Sequence, residues 1–288
     1  MSPQSGKILS MLLPLLPQTD GETLYLLLET IRATLGLDKG LLNAQTTPEV
    51  AERVYQVWLQ YTQGMSGPTP GVSPLTADPV LTAIVEELFE SLTTFSPEAC
   101  RALVLHIAPK LAAAISTPTT DETVHLPGEA IQLANALIRA RGEGIEAELV
   151  ATVTAAILDI LQTSDDMDVI QHGVVHLTFL VRKDCRLLAQ WYVPRFTVKE
   201  SANLTHRHDS HGNSGIACIF RLLGRLLEPS FSESGGIFVG DLIMHLFRKA
   251  GDAMGPVLGD LLRAIVQRLA SAKTATFSVV SLLLTNEG

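Results

Sequence analysis

Apolar positions recur along this chain at intervals of three and four, the spacing that gathers side chains on one face of an α-helix. The pattern is most complete between Phe238 and Leu269, where Val239, Leu242, Ile243, Leu246 and Phe247 make one stripe and Leu258, Leu261, Leu262, Ile265 and Leu269 a second. Between them, Arg248 and Lys249 suit the negative end of a helix, and Gly251 can take the left-handed conformation that ends it. Pro256 fits a first helical position, because its missing N–H would have had no acceptor there. Two amphipathic helices joined by about four residues are expected to pack antiparallel. Such a hairpin buries only part of each stripe, so it needs similar hairpins on both sides.

The same pattern runs through the rest of the chain. A first helix is expected from Ser5 to Pro17, with Pro14 late enough to kink or finish it. A stripe of Leu24, Leu27, Leu28, Ile31 and Leu35 follows, closed by Gly36; Thr47 is then read as the N-cap of a helix faced by Val50, Val54, Val57, Trp58 and Tyr61. The Gly/Pro/Ser-rich segment from Gly64 to Pro79 reads as an exposed loop within a repeat, since Leu81, Ile84, Val85, Leu88 and Leu92 resume the pattern at once. Ser96, Pro97 and Glu98 form a helix start before Val104, Ile107, Ala108, Leu111 and Ile115. Ala130, Leu133, Ala134 and Leu137 face the next helix, which ends in Arg139 and Arg141 before Gly142. A helix from Ile145 to Leu161 follows, and the acidic turn Asp165, Asp166, Asp168 opens one faced by Ile170, Val174, Leu177 and Val181.

Hairpins therefore start near Ser5, Thr47, Pro97, Gly144, Ser214 and Pro256. Most repeats are roughly 42 to 50 residues long, the period of HEAT and armadillo arrays. The expected fold is all-α: a HEAT/armadillo-type α-solenoid of stacked helical hairpins, with residues 1–288 as one continuous array of about six hairpins and an irregular insertion at 192–211.

Composition agrees with thin helical layers, 47% of the residues being hydrophobic and only 5% aromatic. A net charge of -9 argues against direct nucleic-acid binding, which needs clustered Lys and Arg, and makes a basic protein the better electrostatic match. Cys100, Cys185 and Cys218 are far apart and form no CxxC pair, so reduced thiols are expected. No signal peptide is expected, because the apolar patch from Ile8 to Leu16 is broken by Pro14 and ended by Pro17 without a cleavage site. No apolar run reaches the roughly 18 to 20 residues of a membrane span.

Candidate chemistry is sparse. His206, His208, Asp209 and His211 are dense enough for a zinc or copper site, but they fall where no rigid element is expected, and solvated loop histidines are the plainer reading. His172 and His176 stand one turn apart, yet Gly173, Val174 and Val175 between them include no glutamate of the HExxH kind. No GxSxG is present, and Gly235-Gly236 lacks phosphate-loop spacing. Adjacent carboxylates such as Glu86-Glu87 and Asp165-Asp166 point in different directions on a helix. No catalytic, cofactor-binding or metal-binding residue is assigned, and the chain is read as a non-enzyme. The acids are the candidates for partner binding: Glu86, Glu87 and Glu90; Glu143, Glu146 and Glu148; and Asp165, Asp166 and Asp168. On a curved stack they would line a surface that steers a basic protein toward it; the alternative is a solvated face and helix-start acids.

Several stretches carry a family resemblance. LYLLLETIRATLGLD from Leu24, DPVLTAIVEELFESL from Asp78, DVIQHGVVHLTFLVRK from Asp168 with Leu187 to Trp191, Gly215 to Pro229, and Ser232 to Phe277 together resemble importin-9-type nuclear transport receptors of the importin-β superfamily. The similarity runs in order over nearly the whole chain, and its specificity lies in that collinear set. It implies a HEAT solenoid that carries basic cargo such as core histones through the nuclear pore, meets nucleoporins, moves between cytoplasm and nucleus, and releases cargo to GTP-bound Ran. Ran binding in the family rests mainly on N-terminal repeats, so the resemblance implies a central fragment of a longer receptor. Tyr192 to Arg207 departs from the pattern and is read, with the ending after Phe277, as translated intron or gene-model error. A HEAT scaffold outside transport, such as an assembly or phosphatase-regulatory adaptor, is the alternative.

Overall fold

The computed structural model describes residues 3–19, 21–43, 45–63, 79–120, 123–140, 147–190, 215–227, 236–250 and 255–271. Among the described residues it contains eleven α-helices, two short 3-10 turns and no strand: α1 Pro3–Leu12, α2 Gly21–Leu37, α3 Thr46–Thr62, α4 Pro79–Phe95, α5 Pro97–Ile115, α6 Leu126–Ala140, α7 Ala147–Ile160, α8 Met167–Gln190, α9 Gly215–Leu226, α10 Gly236–Ala250 and α11 Gly255–Ser271. The chain divides into two compact units, Met1–Ala156 and Ile157–Gly288. The histidine run at 206–211, the departure at 192–207 and the ending after Phe277 lie outside the described residues.

In the first unit the apolar stripes decide which helix meets which. On α2, Leu24, Leu28, Ile31 and Leu35 are 0% exposed and Leu27 8%. Each such side chain taken from water contributes on the order of 1.5 to 3 kcal/mol, and this burial drives the packing. Two interleaved rows result. α2, α4 and α6 lie side by side in one, while α3 and α5 form the other with the 3-10 turn Leu13–Gln18; α3 and α5 also contact α4, and α5 contacts α6. α3 and α4 thus each meet both the next helix in sequence and the one after it.

Local signals fix where the helices begin and end. Pro14 does finish α1, which gives way to the 3-10 turn after Leu12. Ser96 has extended backbone and its Oγ accepts from Ala99 N–H at 3.0 Å, with Pro97 in the first turn, so α5 starts as expected. Pro109 sits inside α5 on its exposed side without ending it. Two expectations are corrected. Gly36 lies inside α2, which continues to Leu37; among the described residues the glycine with positive φ is Gly21, at 52°, where α2 begins. Thr47 is not the cap of α3, because Asn43 takes that role: its Oδ1 accepts from Gln45 N–H at 2.8 Å and from Thr46 N–H at 3.0 Å. Thr47 is drawn inside the helix and buried.

The second unit repeats the arrangement. α8 lies on α10 and α9 on α11, while α9 also touches α8 and α10. Among the described residues, the expected antiparallel pairing of α10 with α11 is therefore not where either helix makes its main contacts. A short connection makes two helices neighbours in sequence, but the stripes choose the partner. Val239, Leu242, Ile243 and Leu246 of α10 are buried; on α11 Leu261 and Ile265 are buried, whereas Leu262 is 46% exposed. Among the described residues no helix is long and apolar enough to cross a membrane.

Candidate functional site

The acidic residues singled out as partner-binding candidates meet different fates. Glu143 and Glu146 lie outside the described residues, and Glu148 falls in the first turn of α7, its side chain outside them. Asp165, Asp166 and Asp168 form the turn between α7 and α8 in the second unit. Asp166 is consumed by local structure: its Oδ1 accepts from Asp168 N–H at 2.8 Å, and Val169 N–H lies at 3.5 Å, which caps α8. Asp165 receives Arg225 of α9 at 2.8 Å, and the same guanidinium donates to the backbone oxygens of Ser164, at 2.7 Å, and Leu161. Asp165 keeps 93% of its side-chain surface exposed, and Asp168 is exposed as well. Of the three carboxylates, Asp165 is the one paired with the Arg225 guanidinium.

In the first unit Glu86, Glu87 and Glu90 of α4 tie three helices of one row together. Arg139 of α6 pairs with Glu90 and, at 3.4 Å, with Glu86, which also accepts from Gln132. Arg32 of α2 pairs with Glu29 at 2.7 Å and reaches Glu87 at 3.5 Å. Burial pushes the Glu86 carboxyl up, with the hydrogen bond from Gln132 and the charge of Arg139 pulling the other way. Four carboxylates face two guanidiniums, so acid outnumbers base here too. Glu87 remains 58% exposed.

One cluster escapes sequence reading altogether. Glu52 of α3 accepts from Gln56 at 2.9 Å, from Lys110 of α5 at 3.1 Å, and meets His106 Nε2 of α5 at 2.6 Å. Burial pushes the Glu52 carboxyl up, but the hydrogen bonds from Gln56, His106 and Lys110 outweigh it and hold the group at about 2. Tyr55 donates to Lys110 O at 3.2 Å. The one available signal was weak: Glu52 with Gln56, and His106 with Lys110, each stand one turn apart on helices two positions apart in the chain.

The paired histidines of α8 separate by environment. His176 is wholly buried, and burial pushes its imidazole down to about 3; His172 is half-buried. Among the described residues no group of three or more His, Cys, Asp or Glu side chains is placed to hold a metal ion. Cys100 is buried in α5. No protein-family model matches the chain.

Proposed function

We propose that this chain is a non-catalytic HEAT-type helical scaffold, of the importin-β superfamily kind, that holds a basic protein partner. The observation that carries the reading is the acid excess across α2, α4 and α6, laid over helices that pack in two interleaved rows. Such rows repeat one surface at each step, which suits recognition of an extended, positively charged partner by many weak contacts. Exposed carboxylates such as Glu87 and Asp168 steer the encounter, while arginines such as Arg32, Arg139 and Arg225 keep the helices in register. The resemblance to nuclear transport receptors supplies the cargo class, core histones being the example, and the use of Ran and nucleoporins.

Retention of core histones by the immobilised chain, compared with an acidic protein of similar size, tests the binding. Histone retention is expected, and equal retention of both proteins contradicts it. Release of the histones by GTP-loaded Ran, assayed on the longer receptor that the resemblance implies, then separates transport from an adaptor role.

A further inference from the structure

Near the end of α6, one arginine lies between two carboxylates of α4. Glu86 and Glu90 stand one turn apart on α4, so both come within reach of a single side chain from the neighbouring helix. The Arg139 fork spans them. Its Nη2 lies 3.4 Å from Glu86 Oε2, its Nε lies 2.7 Å from Glu90 Oε1, and Nη2 meets that same Glu90 oxygen.

This pair is not an ordinary solvated face. Glu86 is 8% exposed, and a carboxylate at that depth is stable only where donors reach it. Gln132, two turns before Arg139 on α6, serves Glu86 Oε1 and leaves Oε2 to the arginine. Arg139 keeps 51% of its own side chain exposed, so its guanidinium can swing into water without opening a cavity. Glu86 then retains Gln132 and has one oxygen ready for another donor. Buried apolar side chains on α4 and α6 hold the two helices together, so their packing survives the exchange.

Resting on the reading that the row of α2, α4 and α6 meets a basic protein, we infer that Arg139 is a built-in stand-in for that partner: it occupies the Glu86–Glu90 pair in the free chain and yields it to an arginine of the bound protein.

Two consequences follow from the geometry. Docking a partner guanidinium breaks one fork and makes another, so in the parent chain this contact adds little, and removing Arg139 frees it to add more. The vacated place favours arginine over lysine, because the single nitrogen of an ammonium does not span two carboxylates as a planar fork does.

Calorimetry on the whole chain at neutral pH, with an arginine octapeptide and a lysine octapeptide of equal charge, tests this. Arg139→Gln is expected to bind the arginine peptide about two- to fivefold more tightly than the parent, and the lysine peptide less than about twofold more tightly. Arg53→Gln removes the same charge from an exposed position on α3 and is expected to shift either affinity by less than about twofold. An Arg139→Gln chain that binds the arginine peptide no more tightly than the parent overturns the inference, as does an equal gain for both peptides or an equal gain in Arg53→Gln. If the parent binds and only the gain is missing, the basic-partner reading stands without the stand-in; if neither chain binds, both fall. Should Arg139→Gln not fold, Arg139→Lys keeps the charge and gives up the fork. Tighter binding of the arginine peptide is again expected, and an unchanged affinity overturns the inference.

Discussion

Gly173 of α8 lies so close to Leu161 that a Cβ on it would fall 2.8 Å from both δ carbons of that leucine. Leu161 is itself fully buried, so it has little room to move aside. The glycine is what lets α8 settle over the end of α7. Gly173→Ala is expected to destabilise the second unit by about 1 to 2 kcal/mol, because the overpacking exceeds the gain in helix propensity. Chemical denaturation checks this, and a variant as stable as the parent would show that Leu161 can yield.

Arg225 holds the same turn from the other side, giving hydrogen bonds to Leu161 O, Ser164 O and the Asp165 carboxylate. Two nitrogens of its planar fork serve these three acceptors, a spread that the single nitrogen of an ammonium does not reproduce. Arg225→Ala is expected to cost about 2 kcal/mol, with Arg225→Lys recovering less than half of it. Full recovery by lysine, seen in thermal melts, would reduce the contact to simple charge pairing.

The start of α3 separates two neighbouring side chains by role. Asn43→Ala is expected to cost about 1 kcal/mol through loss of the cap. Thr47→Val is expected to be neutral or stabilising, because the Thr47 hydroxyl is buried with no hydrogen-bond partner among the described residues. Denaturant midpoints of the two variants decide this, and the opposite ranking would restore Thr47 as the cap.

The Glu52 cluster predicts an acid limit for the first unit. Its carboxyl is held at about 2 in the folded chain against an ordinary 4.5, so its contribution is complete above pH 4.5 and is lost as pH falls toward 2. The group is about one-third exposed, and screening keeps the effect modest. Glu52→Gln is expected to flatten the stability profile of α3 and α5 in that window. Trp58, buried in α3, provides the fluorescence readout, and an unaltered profile would place the acid sensitivity elsewhere.

Much of the helical layout was legible because burial and period coincide: all five stripe positions on α2, and Ile170, Val174, Leu177 and Val181 on α8, are buried. Ser96 was legible because its cap lies wholly within a few residues. Thr47 misled because a competing cap, Asn43, lay just upstream. The partner of α10 was not legible, since a stripe says that a helix is covered and not by what. The acidic turn at 165–168 was read as a candidate partner face or as helix-start acids; that Asp165 pairs with Arg225, sixty residues away, was not legible, because Arg225 carries no local sign of that role. The Glu52, His106 and Lys110 cluster failed for the same reason, with its members 54 and 58 positions apart.

The affinity of the chain for a core histone pair, followed by calorimetry as salt is raised, tests the central claim most directly. Binding at low salt that weakens steadily as exposed charges are screened, and weakens further in a Glu87→Lys and Asp168→Lys variant, is the predicted result. No binding at low salt, or an affinity indifferent to both salt and the charge reversals, would contradict it.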